Sequence, residues 1–163
     1  MTGGALELEL PDEPALARFA RRCAPLLGGG GVVELRGELG AGKTTFARAL
    51  LRALGVGERV KSPTYSLIES YRAGELVAWH LDLYRIADPG ELEWLGLDAL
   101  ADPAALVLVE WPERGAGALP AADLRLELAH AGTGRSARLV ATSARGQSIV
   151  AGLGGQTDGK SAT

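Results

Sequence analysis

The spacing of apolar residues predicts alternating strands and helices in the first part of the chain. Apolar and polar residues alternate from Leu6 to Pro11, which predicts a short strand that proline ends. Asp12 is suited to cap a helix, and the apolar residues after it recur at helical spacing up to the run of glycines at 28–31. A second strand is predicted from Val32 to Arg36. After a glycine-rich loop, a second helix is predicted from Lys43 to Leu54.

The rest of the chain is predicted to contain more strands and only short helices. Two strands flank a turn at Ala73 and Gly74, and residues 88–100 carry the starting signals of short helices. The apolar run from Ala104 to Trp111 predicts a central strand that is buried on both faces. The stretches "DLRLELA" and "SARLVATS" predict a later hairpin. These elements indicate an α/β fold: one three-layer domain over residues 1–153, with a mostly parallel central sheet and antiparallel hairpin additions.

Composition and charge favour a cytoplasmic protein. Its 163 residues include 17 Lys and Arg against 20 Asp and Glu, a net charge of −3 that argues against tight, unaided binding to nucleic acid. We expect no membrane association, because the start resembles no signal peptide and no apolar run approaches the roughly 20 residues of a membrane span. Cys23 is the single cysteine, so an internal disulfide is excluded. Residues 154–163 have no apolar period and are predicted to form a disordered tail.

A phosphate-binding motif lies between the second predicted strand and the second predicted helix. Residues 37–44, "GELGAGKT", match the pattern G-x-x-x-x-G-K-[ST]. Glycines at this spacing let backbone N–H groups turn towards phosphate oxygens, and the following helix points its positive end at them. Lys43 would reach the outer phosphates, and the Thr44 hydroxyl would bind Mg²⁺. The same pattern at 154–161 has no strand before it and no room for a helix after it, so we reject it.

Two carboxylates are candidates for the remaining chemistry of a magnesium–triphosphate site. Glu110 ends the buried run "LVLVE", where a second metal-linked carboxylate is expected, although a strand reaching solvent would show the same pattern. Asp82 in "HLDLYR" is a candidate for ordering the nucleophilic water or the metal shell. It is equally compatible with a surface aspartate paired with Arg85. His80, on the same strand face, is interpreted as the satisfied partner of another residue rather than as a ligand.

Other candidate positions have structural alternatives. Lys61, Ser62 and Thr64 in "KSPTY" follow the loop helix, where a segment that senses the outer phosphate could lie, but a simple strand entry explains them almost as well. Trp111 at a strand end is typical of a residue that caps the core. It is also a candidate anchor for a partner protein.

Five segments together resemble one protein family. They are "GELGAGKTTF", "VKSPTY", "HLDLYR", "DPGELEWLGL" and "LVEWPERG". The sequence resembles the TsaE family, small bacterial P-loop ATPases of tRNA threonylcarbamoyladenosine synthesis, from about Leu10 to about Ala144. The pairing of "HLDLYR" with "LVEWPE" is much more specific than the phosphate loop. The resemblance therefore implies a P-loop NTPase domain that binds ATP and Mg²⁺.

The resemblance also implies partners and roles for individual residues. Members of this family hydrolyse ATP weakly alone and act with the TsaB and TsaD proteins. TsaD, rather than the present chain, would transfer the threonylcarbamoyl group to the tRNA adenosine. The phosphates would be held by Gly40, Ala41, Gly42, Lys43, Thr44 and Thr45. Magnesium would be bound by Thr44 with Glu110, and Asp82 would be needed for hydrolysis.

The resemblance further places Glu13 and Arg135 near the nucleotide and Trp111 beside the site. One position departs from the family, because Leu16 stands where a threonine is often found, which affects the contacts at the base and sugar end. The negative charge of the chain is compatible with this function if the partners, and not this protein, hold the tRNA.

Three other functions use the same motif. A small-molecule kinase would need an acceptor pocket and a lid, and residues 101–117 are short for a lid. A GTPase is disfavoured because neither N-K-x-D nor D-x-x-G after a strand occurs in the sequence. A nucleotide-sensing module without useful hydrolysis differs from a TsaE-like ATPase only in its phosphate release, which sequence does not decide.

Overall fold

The structure, a computed structural model, describes residues 4–56, 68–95 and 97–161, with the side chains of 93–97 and 155–161 outside the description. The strands are β1 (Ala5–Leu10), β2 (Gly31–Arg36), β3 (Ile68–Ala73), β4 (Leu76–Asp82), β5 (Leu106–Glu110), β6 (Leu124–Ala131) and β7 (Gly134–Ala141). The α-helices are α1 (Glu13–Leu27), α2 (Lys43–Ala53) and α3 (Ala144–Ser161). Short 3₁₀ helices cover Pro89–Leu95, Leu97–Ala101 and Pro112–Gly115.

The strands form one mixed sheet in the order β1-β7-β6-β2-β5-β4-β3. The pairs β2–β5, β2–β6 and β4–β5 are parallel, whereas β1–β7, β3–β4 and β6–β7 are antiparallel. The α/β class is therefore confirmed, and the sheet as a whole is mixed, with parallel pairs at its centre and antiparallel pairs towards both edges. The hairpins β3–β4 and β6–β7, together with the pairing of β1 with β7, give as many antiparallel pairs as the centre gives parallel ones.

Two buried clusters lie on opposite faces of the sheet. Strand β5 feeds both, because Leu106 and Leu108 pack into one cluster and Val107 and Val109 into the other. All three described α-helices contribute to the first cluster, in which the rings of Phe19 and Phe46 lie 5.8 Å apart. From the chain after β4, Leu83, Ile86, Leu92 and Leu100 close the second cluster, the last two from the short 3₁₀ helices. The α-helices thus form one layer, and the predicted third layer is not an α-helical one.

The start of α1 follows its predicted signals. Asp12 is the N-cap, and one of its carboxylate oxygens accepts a hydrogen bond from the Ala15 N–H at 2.9 Å. The apolar face of the helix is buried, and it includes Cys23. Burial raises the pKa of the Cys23 thiol to about 12, against a smaller opposing effect of Arg22, so this cysteine serves as packing.

The helix α3 has no counterpart among the predicted elements. The Ser143 hydroxyl accepts from the Gly146 N–H at 3.0 Å, and the buried side chains of Ile149, Val150 and Leu153 attach the helix to the core. The helix extends to Ser161, into the segment for which a disordered tail was predicted. The second copy of the phosphate-loop pattern thus lies inside a helix. None of the helices in the described ranges is long and apolar enough to cross a membrane.

Candidate functional site

The glycine-rich loop joins the end of β2 to the start of α2. Gly37, Gly40 and Gly42 have φ angles of 149°, 77° and 110°, a region that side chains other than glycine rarely enter. A Cβ atom on Gly37 would also lie 2.4 Å from the carbonyl oxygen of Leu128. Gly42 is the N-cap of α2 and supplies no side-chain cap, so the first amides of this helix remain available to an anion.

Lys43 stands at the start of α2 with its ammonium group above the loop. Only 5% of the residue is exposed, its Nζ donates to the Gly37 carbonyl, and Nζ lies 3.8 Å from the centroid of the Trp111 ring. Burial lowers the pKa of Lys43, an effect opposed by the charges of Glu110, Asp82 and Glu113. Within the described residues, no carboxylate lies within 4.0 Å of Nζ, so the ammonium is not neutralised by an ion pair.

Glu110 ends β5 and is buried, with 3% exposure. The Thr44 hydroxyl lies 2.9 Å from each of its carboxylate oxygens, and Nε2 of His80 lies 2.7 Å from Oε2. The alternative in which Glu110 merely marks the emergence of a strand into solvent is therefore wrong. His80 is a partner of Glu110 through Nε2, as interpreted, but its Nδ1 has no hydrogen-bond partner among the described residues.

Asp82 lies beside Glu110 at the ends of two neighbouring parallel strands. The register of β4 with β5 pairs these two residues, which places both side chains on the same face of the sheet. Oδ1 of Asp82 accepts a hydrogen bond from the Tyr84 N–H at 3.1 Å. Among the described residues Asp82 forms no ion pair with Arg85, so the surface-pair alternative is not supported.

Arg135 at the start of β7 reaches across to the backbone of the loop. Its Nε donates to the Ala41 carbonyl and its Nη2 to the Gly40 carbonyl, both at 3.0 Å. The planar guanidinium thus holds two successive carbonyl groups on one side of the loop. The family resemblance predicted that Arg135 lies near the nucleotide, but it gave no indication of these two hydrogen bonds, which we call the arginine clamp.

A cleft of about 640 Å³ brings most of the predicted site residues together. Among the residues that line it are Glu13, Gly40, Gly42, Lys43, Thr44, Thr45, Asp82, Glu110, Trp111 and Arg135. Ala41, within the loop, is fully buried and does not line the cleft. Lys61, Ser62 and Thr64 lie outside the described residues. Leu16, at the position where the sequence departs from the family, lines the same cleft and has little exposure.

An aromatic pair at one side of the cleft includes a residue that the sequence did not single out. The ring of Tyr84 lies 5.0 Å from that of Trp111, and both residues line the cleft. Trp111 has a φ angle of 58°, in the left-handed region. Its ring contacts Lys43 and also packs against the second buried cluster, so Trp111 both caps the core and lines the site. Tyr84 stands two residues after Asp82 in "HLDLYR". Its place in this segment was the one feature of the sequence that could have indicated a residue of the site.

Comparison with known families assigns the chain. The sequence model of the family described as threonylcarbamoyl adenosine biosynthesis protein TsaE matches residues 10–139. The chain belongs to the TsaE family. This extent agrees with the resemblance seen from Leu10 to about Ala144, and the family is one of tRNA threonylcarbamoyladenosine biosynthesis.

Individual TsaE proteins and a solved structure agree with this assignment. The chain is 38% identical to the tRNA threonylcarbamoyladenosine biosynthesis protein TsaE of Haemophilus influenzae over 146 residues, which covers 86% of this chain and 92% of that protein. It is also 38% identical to the Synechocystis protein of the same name over 121 residues, with coverage of 70% and 74%. The crystal structure of Bacillus subtilis YdiB superposes with a TM-score of 0.78 at 27% identity, covering 94% of this chain and 96% of that one.

Proposed function

We propose that this TsaE protein binds ATP with Mg²⁺ in the cleft and hydrolyses it, as the ATPase component of a cytoplasmic machinery in which TsaB and TsaD are its partners. The observation that carries the proposal is the convergence, in one cleft, of the glycine loop with Lys43, the Thr44–Glu110 pair and Asp82. Each of these supplies a separate requirement of phosphoryl transfer to water.

The loop would hold the phosphate groups. The uncapped amides at the start of α2 supply partial positive charge, and Lys43 supplies a full one. In the structure, the ammonium of Lys43 rests on the Gly37 carbonyl and the Trp111 ring. An incoming triphosphate would offer it a stronger, charged acceptor and offset its desolvation. Arg135 would act on the loop itself, by fixing the carbonyls of Gly40 and Ala41 away from the phosphates.

The residues present fit a magnesium ion. Thr44 and Glu110 place hydroxyl and carboxylate oxygens, the ligand types that Mg²⁺ prefers, together at the edge of the cleft. No described group of three or more His, Cys, Asp and Glu side chains could hold a metal alone. This also fits Mg²⁺, which commonly uses one or two protein ligands with phosphate oxygens and water. When bound, the ion would neutralise charge on the outer phosphates.

Asp82 would act on the attacking water. Its carboxylate lies on the strand next to Glu110 and lines the same cleft, and its Oδ1 is held by the Tyr84 N–H. Because this hydrogen bond holds Oδ1, the other carboxylate oxygen of Asp82 is free to accept a hydrogen bond from a water molecule. Asp82 would thereby orient the water towards the terminal phosphate.

The partners would make hydrolysis useful. We propose that TsaD carries out the threonylcarbamoyl transfer and that the TsaB–TsaD complex holds the tRNA. The present chain, with a net charge of −3, is unsuited to binding tRNA unaided. ATP hydrolysis then serves as a conformational step. This coupling requires the complex to prefer one nucleotide state of the ATPase.

This coupling predicts a difference in partner binding between the ATP and ADP states. Purified TsaB–TsaD should be retained on the immobilised protein with a different affinity for each nucleotide, and its addition should increase phosphate release from ATP. Equal affinity in both states, together with repeated transfer cycles that do not depend on hydrolysis, would contradict the coupling. Phosphate transfer to an added small-molecule acceptor would instead identify a kinase.

The arginine clamp predicts a selective effect on nucleotide affinity. Arg135→Lys should lower ATP affinity by about 10-fold, because a single ammonium cannot hold both loop carbonyls that the guanidinium fork now holds. Arg138→Lys is the matched control on the same strand, where the side chain is half exposed and pairs with Glu7 and Glu127. Isothermal titration of both variants with ATP gives the comparison. An Arg135→Lys variant with the affinity of the control would show that the clamp is dispensable.

A further inference from the structure

His80 is a buried histidine directly behind the magnesium-binding residues of the proposed function. Its side chain is 1% exposed, and that of its partner Glu110 is 4% exposed. The distance of 2.7 Å between Nε2 and Oε2 of Glu110 is that of a strong hydrogen bond. His80 does not line the cleft, so it would act through Glu110 and not on the nucleotide.

The surroundings of the imidazole ring indicate which of its two nitrogens carries the proton. Nδ1 is buried and has no hydrogen-bond partner within the described part of the chain. A proton on Nδ1 would therefore be a buried donor without an acceptor, which is costly. With the proton on Nε2, the ring donates to the carboxylate of Glu110, whose oxygens are acceptors. The geometry thus selects the Nε2–H tautomer, with Glu110 as its acceptor.

A packing role alone does not account for this histidine. His80 lies opposite the apolar residue Leu108 on β5 and opposite Glu69 on β3, with which its side chain forms no hydrogen bond in the described structure. It shares its face of β4 with Ala78, which is also buried. An apolar side chain would fill the same space without an unpartnered Nδ1. What the imidazole adds is a single N–H directed at Glu110.

The Nε2–H of His80 restricts rotation of the Glu110 carboxylate about the last torsion of its side chain. The last torsion of a glutamate is broad and roughly two-fold, so packing fixes it poorly. In the structure, the Thr44 hydroxyl is equidistant, at 2.9 Å, from the two oxygens of Glu110, while His80 holds one of them. Hydrogen bonds from behind a ligating group commonly set its orientation, and their loss typically lowers metal affinity 10- to 100-fold.

We propose that His80 is a positioning residue of the cation site: its Nε2–H fixes the plane of the Glu110 carboxylate towards Thr44 and so sets the affinity for Mg²⁺. This role rests on the proposed function, because it presumes that Thr44 and Glu110 bind the ion.

Two variants separate the hydrogen bond from packing. His80→Leu introduces an apolar side chain of similar size and removes the donor, whereas His80→Gln can place an amide N–H near the position of Nε2. Leu81→Val is the matched control, since Leu81 is buried on the opposite face of the same strand. For each folded variant, the affinity for a non-hydrolysable ATP analogue is measured by isothermal titration with and without Mg²⁺, so the readout does not depend on turnover.

The ratio of the two affinities is the diagnostic quantity. We expect His80→Leu to reduce the magnesium-dependent gain in affinity about 10-fold while affinity without Mg²⁺ stays the same. His80→Gln and Leu81→Val should keep most of the gain. The positioning role would be overturned if Mg²⁺ increased the nucleotide affinity of His80→Leu as much as that of the wild type. It would also be overturned if His80→Gln lost as much of this increase as His80→Leu. Either result would leave the proposed function standing. A wild-type protein without any magnesium-dependent gain would overturn both.

Discussion

Replacing Lys43 with alanine is expected to abolish ATP hydrolysis and to weaken ATP binding by about 10- to 100-fold. The ammonium group lies buried over the loop, beside the uncapped start of α2, and within the described residues it has no carboxylate partner in ion-pair distance. Hydrogen bonds to charged groups are worth about 1.5–3 kcal/mol, which corresponds to this loss of affinity. Titration calorimetry measures the binding, and release of inorganic phosphate measures the turnover.

The control for Lys43→Ala is Arg52→Ala, which removes a positive charge from the exposed end of the same helix. It should bind and hydrolyse ATP like the wild type. If Lys43→Ala kept wild-type affinity and hydrolysis, the assignment of the phosphate site to residues 37–44 would be refuted.

Replacing Glu110 with glutamine is expected to lower magnesium-dependent hydrolysis by about 100-fold, with little change in melting temperature. The amide keeps the shape of the side chain and retains an oxygen that can accept from His80 and Thr44, but it removes the negative charge that would bind the cation. Hydrolysis rates measured over a series of Mg²⁺ concentrations, together with a melting curve, separate the two effects.

Alanine is a less informative substitution at this position. The sequence suggests that a carboxylate at a strand end contributes little to the core, but Glu110 is buried and accepts hydrogen bonds from His80 and Thr44. Its truncation would leave these two donors unpaired, at a cost of about 1–3 kcal/mol each. Glu127→Gln, at a half-exposed carboxylate on β6, is the control and should leave hydrolysis unchanged. A Glu110→Gln variant that melts far below the wild type yet hydrolyses ATP normally would contradict the metal role.

Local signals in the sequence were sufficient for most elements and for the glycine-rich loop. Alternation with period two marked β1, and the cap at Asp12 marked the start of α1, because both depend on residues close together in the chain. The loop at 37–44 was recognisable because its glycines are needed for backbone conformations that other residues rarely adopt.

The remaining features depend on contacts between distant parts of the chain. The helix α3 is rich in glycine and gave no clear local signal, and its burial through Ile149 and Leu153 becomes visible only in the folded chain. The hydrogen bond from Arg135 to Ala41 joins residues 94 positions apart, and that between His80 and Glu110 joins residues 30 apart. Periodicity and motif spacing carry no information about such pairs, which are set by the order and register of the strands.

The central claim is that the amides of the loop, Lys43 and a cation beside Thr44 and Glu110 form one cradle for triphosphate. A crystal structure of the protein with Mg²⁺ and a non-hydrolysable ATP analogue tests it most directly. We predict that the phosphates lie against the amides of residues 38–44, with Lys43 moved from the Gly37 carbonyl to the outer phosphates. A nucleotide bound elsewhere, with this loop empty, would contradict the account.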